Sequence, residues 1–255
     1  MARTTTVKCS NAFLRGPQND LSEELITLKL KSLFLPAIAY LSLTLAPLAG
    51  FADPGALTGD HTVPNIGTAK KLFKDYYQSG RYAEEIKRIC KEAQGYIDES
   101  VAAYPKEKLA MVLDIDETSL SNAPHIMEYD FGYLPGEWSK WIASAKAPAI
   151  EGTLELYKYA REKGVSVFFI TGRNEAEREA TVKNLEEQGF QKFTALILKP
   201  VGSKVTSKEF KTYHRRQITE SGYRIIVNVG DQASDLEGGY CESVYKLPNP
   251  MYFVP

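Results

Sequence analysis

The chain has 255 residues, enough for one large domain or a core with a small accessory part. Hydrophobic residues make up 44% and charged residues 25%, the balance of a globular protein, and the formal net charge of −1 argues against a general affinity for a nucleic acid polymer or an anionic membrane surface. Cys9, Cys90 and Cys241 are the only cysteines, none in a Cys-x-x-Cys pair, and His61, His125 and His214 are far apart, which argues against a zinc site or a thiol nucleophile.

Lys29 and Lys31 precede an apolar run from Leu33 to Leu48, followed by Gly50-Phe51-Ala52. Basic flank, apolar core and small residues predict a secretory signal over residues 1–52, cleaved after Ala52, and export to the periplasm or the extracellular space. The run is short for a spanning helix and holds Pro36 and Pro47, so no stable membrane anchor is expected; an uncleaved anchor is the alternative. Asp20, Glu23 and Glu24 disfavour an organelle transit peptide. Export would expose Cys90 and Cys241 to oxidising conditions, where they could pair or stay as two buried thiols.

Residues 53–64, with two prolines and two glycines, predict a flexible lead-in to a domain over 65–255. Over 65–104, Ala83, Ile86, Cys90, Ala93, Ile97 and Val101 recur at three- and four-residue steps. Ser79-Gly80 should break this region into two helices, and Pro105 should end the second. Leu109 to Leu113 then form a short, wholly apolar run, the pattern of a strand buried on both faces, which leads directly into Asp114-Ile115-Asp116-Glu117-Thr118. Residues 119–150 show no clean period and are rich in aromatics: Tyr129, Phe131, Tyr133, Trp138 and Trp141. They are expected to supply a small, mainly helical cap together with 65–104.

Beyond 150, helices and strands alternate. A helix over 151–163 should stop at Gly164, and Val165–Ile170 form a strand that ends in Thr171-Gly172-Arg173. Asn174 with Glu177 reads as the cap of a helix to Gln188. Ala195–Leu198 form a strand, and Thr206 with Glu209 cap a helix to Ser221. Ile225–Val229 form a strand ending in Gly230-Asp231-Gln232-Ala233-Ser234-Asp235, and Ser243–Lys246 a short fifth. This alternation predicts a Rossmann-like, doubly wound parallel sheet with all carboxyl ends on one edge.

That edge collects Asp114, Asp116, Thr171, Asp231 and Asp235, with one of Lys204, Lys208 or Lys211. Two carboxylates at i and i+2 cannot both stay ionised in one small volume without a cation or a proton. Several carboxylates with a hydroxyl and an ammonium suit Mg2+ and a phosphoryl group, and ligands of open α/β sheets bind at this edge.

Asp-Ile-Asp-Glu-Thr, Ile-Thr-Gly-Arg and Gly-Asp-Gln-Ala-Ser-Asp, in this order, resemble motifs of the haloacid dehalogenase-like phosphohydrolases. Asp114 through Asn122, and Gly222-Tyr223 through Gln232, resemble the secreted class C acid phosphatases, and the ending Lys246–Pro255 is similar to that of plant vegetative storage proteins. The resemblance implies Asp114 as nucleophile, forming an aspartyl-phosphate, and Asp116 as general acid and then base, its backbone carbonyl also on Mg2+. It further implies Asp231 and Asp235 as the rest of the metal site, Thr171 on the phosphoryl oxygens, and a charge-neutralising lysine. Lys211 is preferred for that role because its distance from Asp231 suits the family, with Lys204 and Lys208 left open.

The expected function is a secreted, Mg2+-dependent acid phosphomonoesterase acting on a small phosphate ester. A nucleoside monophosphate is the candidate substrate, its base stacked by Phe131 or Trp138. A non-catalytic storage or binding protein and a phosphotransferase are the alternatives on the same fold, and a homodimer is left open. The intact nucleophile position argues against the storage reading.

Overall fold

The computed structural model describes residues 64–254. The expected signal over 1–52 and nearly all of the lead-in lie outside the described residues. Two helices come first, α1 (Ile66–Gln78) and α2 (Arg81–Ala103), separated at Ser79-Gly80, where Gly80 takes a left-handed φ of 84°. Strand β1 (Lys108–Leu113) follows, then two short helices, α3 (Ala123–Glu128) and α4 (Pro135–Ser144). Next come α5 (Glu151–Glu162), β2 (Ser166–Asn174), α6 (Arg178–Glu187) and β3 (Ala195–Lys199). The chain then forms α7 (Ser207–Glu220), β4 (Tyr223–Gly230), a single turn α8 (Ala233–Leu236) and β5 (Ser243–Lys246). Both expected capping boxes are present, Asn174 with Glu177 and Thr206 with Glu209.

The five strands pair in parallel in the order β3-β2-β1-β4-β5. Leu113 is in register with Phe169 on one side and Val229 on the other, so β1, β2 and β4 deliver their carboxyl ends together at the middle of the sheet. The expected α/β fold is therefore the observed one.

Side chains alternate across this sheet as strand geometry requires. Met111, Leu113, Val167, Phe169 and Val229 face one layer, packed against α2, α5 and α6; Ala110, Val112, Phe168, Ile170 and Ile225 face the other, against Phe210 and Ile218 of α7. A register shift between Ala110 and Met111 skips Ile226 of β4. Phe169 is fully buried among Tyr157, Phe190 and Phe193. Truncating a core aromatic of this kind to alanine costs about 3–5 kcal/mol.

Within 65–104, α2 packs as a layer on the core. Its stripe of Tyr82, Ile86, Cys90, Ala93 and Ile97 belongs to the main core, and α2 packs on α5. Their approach needs Gly152: a Cβ there would meet Ile86 Cγ2 at 3.0 Å and the Lys87 backbone at 3.2 Å. Residues of α1 and of 119–150 instead meet each other, through Lys70 on Asp130 at 2.7 Å and Phe73 edge-on to Phe131. Cys90 and Cys241 are both free thiols, the first in the α2 layer and the second packed beside the α7 layer. Among the described residues no helix is long and apolar enough to cross a membrane.

Candidate active site

The chain leaves β1 through a tight loop. Leu120 N–H and Ser119 N–H both donate to Ile115 C=O, at 2.8 and 2.9 Å, and the Ser119 hydroxyl donates to Asp114 C=O at 2.6 Å. Glu117 takes a left-handed φ of 56°, a conformation that costs a non-glycine residue roughly 1 kcal/mol or more. Its carboxylate compensates by accepting from Asn122 N–H, from Asn122 Nδ2 at 3.1 Å and from the Tyr252 hydroxyl at 2.5 Å. Burial and the charge of Asp116 nonetheless push the Glu117 carboxyl up to about 8.

At the same edge, Asp114, Asp231 and Asp235 are buried with carboxylate oxygens within 4.8 Å of one another. Lys211, 4% exposed, reaches them from α7: its Nζ donates to Asp114 and, at 2.6 Å, to Asp235. It lies on the buried stripe of α7 with Phe210, Arg215 and Ile218, whereas Lys208 pairs outward with Glu237 and Lys204 is exposed on the preceding loop. Burial works against the charge on Lys211, but the adjacent carboxylates outweigh it and hold the ammonium protonated. Asp235 is braced as well as clustered. Its Oδ2 accepts from Gln232 N–H at 2.8 Å, and its carbonyl accepts from Asn228 Nδ2 and Arg215 Nη1 at 2.9 and 2.6 Å. This packing requires Gly230, since a Cβ there would lie 2.3 Å from Asp235 Cβ.

Three buried carboxylates against one ammonium leave an excess of two negative charges, in an all-oxygen donor set. Burial, with repulsion from Asp235 and Asp231 that Lys211 only partly offsets, pushes the Asp114 carboxyl well above the usual range. Asp231 is pushed up to about 6 by burial and by Asp235. A small divalent cation that prefers oxygen, such as Mg2+, fits this cluster.

Asp116 stands apart from it. Arg173 Nε donates to both carboxylate oxygens at 3.1 and 3.2 Å, and Nη2 to Oδ1 at 2.7 Å; Asn122 Nδ2 adds a bond at 2.9 Å. Burial alone would raise the Asp116 carboxyl, but the charge and hydrogen bonds of Arg173 outweigh it and hold it below the usual range. Among the protein's own groups Asp116 is held toward its ionised form and Asp114 is pushed toward its neutral one. The Asp116 side chain is thus committed to Arg173 and Asn122. Thr171 is fully buried with its hydroxyl accepting from Arg173 N–H at 3.1 Å, and the neighbouring Gly172 lines the cavity instead.

Over this edge opens a cavity of about 610 Å³, within the range of small-molecule sites. Asp114, Asp116, Arg173, Lys211, Asp231 and Asp235 line its floor. Phe131 and Trp138 line it too, with His125 and Tyr133. Trp141 packs instead, stacked on His125 with its indole N–H on Asn122 Oδ1 at 2.7 Å.

Sequence reasoning missed several groups at the site. Arg173 carried a signal, since it follows Thr171 at the two-residue step of a strand. Asn122, Asn249 and Tyr252 lie in stretches that carry the family resemblance, but no periodic pattern singles them out, because each is brought in by a loop or an irregular segment.

A family profile described as HAD superfamily, subfamily IIIB (acid phosphatase) matches residues 57–255. The chain is 37% identical over 186 residues to acid phosphatase 1 of Solanum lycopersicum, covering 71% of this chain and 72% of that protein. It is 36% identical over 199 residues to vegetative storage protein 1 of Arabidopsis thaliana, covering 76% and 73%. The class C acid phosphatase of Bacillus anthracis has a similar structure, with TM-score 0.62 and 29% identity over 74% of this chain and 87% of that one. A second structure of that enzyme, with tungstate bound, matches with TM-score 0.62 and 28% identity.

Proposed function

The chain belongs to subfamily IIIB of the HAD superfamily, the acid phosphatases, and from that premise we propose that it is an exported, Mg2+-dependent phosphomonoesterase working through an aspartyl-phosphate on Asp114. The observation that carries this reading is the buried cluster of Asp114, Asp231 and Asp235 with Lys211 at the carboxyl edge of the sheet. Tungstate, an oxyanion analogous to phosphate, binds the Bacillus anthracis relative.

In this reading the Asp114 carboxylate attacks phosphorus, and the bond from phosphorus to the ester oxygen breaks. Asp116, protonated at acid pH, gives its proton to the departing alkoxide, then takes one from the water that attacks the acyl-phosphate. Free alcohol and inorganic phosphate leave, and both carboxyls return to their starting state. Arg173 faces the same cavity, so an entering phosphoryl group competes with Asp116 for the guanidinium and eases its protonation. Lys211 offsets charge between Asp114 and the transferring group. Asp114, Asp231 and Asp235 would hold Mg2+, which would supply further neutralisation of that group.

Phe131 and Trp138 would hold the leaving group, and a nucleoside monophosphate suits two rings beside a phosphoryl site. Some relatives carry the name vegetative storage protein, but a storage role alone gives no reason for a lysine-bridged carboxylate cluster under a cavity. The test is turnover of a panel of phosphate esters by the mature chain, with Mg2+ and with EDTA. Hydrolysis that EDTA abolishes and Mg2+ restores is expected; no turnover of any ester would favour the storage reading.

A further inference from the structure

Residues 247–254 run alongside the site. Leu247, fully buried, anchors this segment by donating its N–H to Gly230 C=O at 2.9 Å. Asn249 then turns the chain, its Oδ1 accepting from Met251 N–H at 2.9 Å and Tyr252 N–H at 3.4 Å. Its Nδ2 donates to Asp231 Oδ2 at 2.8 Å. Gln232 Nε2 donates to the same oxygen at 2.6 Å, while its Oε1 accepts Val254 N–H at 3.1 Å. Tyr252 closes the other side by donating to Glu117. The segment thus staples the loop after β1 to the loop after β4, and Met251–Val254 form one wall of the cavity.

The consequence lies in the lone pairs of Asp231. A carboxylate oxygen accepts about two hydrogen bonds, and two amide donors fill Oδ2. Oδ1 has one partner, the Thr118 hydroxyl at 3.0 Å, so it keeps capacity for a cation. We propose that Asn249 is a positioning residue for the metal site: with Gln232 it fixes the rotation of the Asp231 carboxylate so that Oδ1 is the oxygen offered to Mg2+. The segment is then a working part of the active site and not only packed over it. The inference rests on the Mg2+ reading above.

Calorimetric titration of Mg2+ into the wild type, Asn249→Ala and Asn249→Ser tests it, with circular dichroism as the check on folding. Serine can still accept from the N–H two residues on, which preserves the turn, but it is too short to reach Asp231. Both variants are expected to bind Mg2+ about 10- to 100-fold more weakly, the usual cost of losing a partner behind a metal ligand. Affinity within about 2-fold of wild type in the serine variant overturns the proposal, whether or not the alanine variant folds or weakens, because the turn alone would then suffice. A wild type that binds no Mg2+ overturns the metal reading itself, and this inference with it.

Discussion

Arg173 grips Asp116 with its Nε across both carboxylate oxygens and its Nη2 on Oδ1 at 2.7 Å, joining the end of β2 to the loop after β1. Arg173 is itself buried, and the ionised form of Asp116 is the favoured one. The reaction needs Asp116 protonated as the leaving group departs. Replacing Arg173 by methionine removes the charge that lowers the Asp116 carboxyl, and burial then raises it. The limb of the kcat–pH profile that reports this acid is expected to move to higher pH in Arg173→Met. Arg173→Lys, which keeps the charge but loses the fork, should fall between. Superimposable profiles would separate Asp116 from the acid role.

Lys211→Met should lower kcat/KM by about 10²–10³, the scale of removing one preorganised charge at a transferring group. It also strands Asp114 and Asp235 in the interior. Breaking such a buried pair from one side costs about 3–5 kcal/mol at neutral pH. Urea unfolding should show that loss easing as pH falls, because the Asp114 carboxyl already favours protonation.

Glu117 gives the fold a pH dependence of known sign. Its folded value of about 8 lies above the ordinary 4.5, so the native state binds the extra proton between those values. The stabilisation is complete below about pH 4.5 and is lost as pH rises through about 8. The Tm of the wild type should therefore rise on acidification across that window, and Glu117→Gln should flatten the slope.

Trp138→Ala should raise KM for a nucleoside monophosphate about 5- to 100-fold if the base stacks on the ring, while inhibition by inorganic phosphate stays unchanged. An unchanged nucleotide kcat/KM in Trp138→Ala and Phe131→Ala would remove nucleotides as the substrate class.

What could be read ahead of the structure followed locality. The run 109–113 announces β1 because all its residues are buried, and with it the position of Asp114 at the strand's end. The capping pairs at Asn174 and Thr206 are three-residue relations and were equally legible. Lys211 could not be separated from Lys204 and Lys208 by spacing alone, since the choice turns on which stripe of α7 faces the sheet. The bounds of the helices within 119–150 were hidden because α3 and α4 are short, carry a proline in their first two positions and show little periodic pattern. Arg173 on Asp116 and Tyr252 on Glu117 join residues far apart in the chain, and no local pattern encodes such pairs. The opposite pulls on the two carboxyls, Arg173 on Asp116 and the crowding of Asp114 by Asp231 and Asp235, come from such distant partners too.

The most direct test of the account is to acid-quench the enzyme during turnover of a phosphate ester and map the phosphorylated peptide by mass spectrometry. The account predicts one phosphoryl group on the peptide that contains Asp114, absent from Asp114→Asn, which should turn over no substrate. Turnover by Asp114→Asn at the wild-type rate, or a phosphoryl group mapped to another residue, would contradict it.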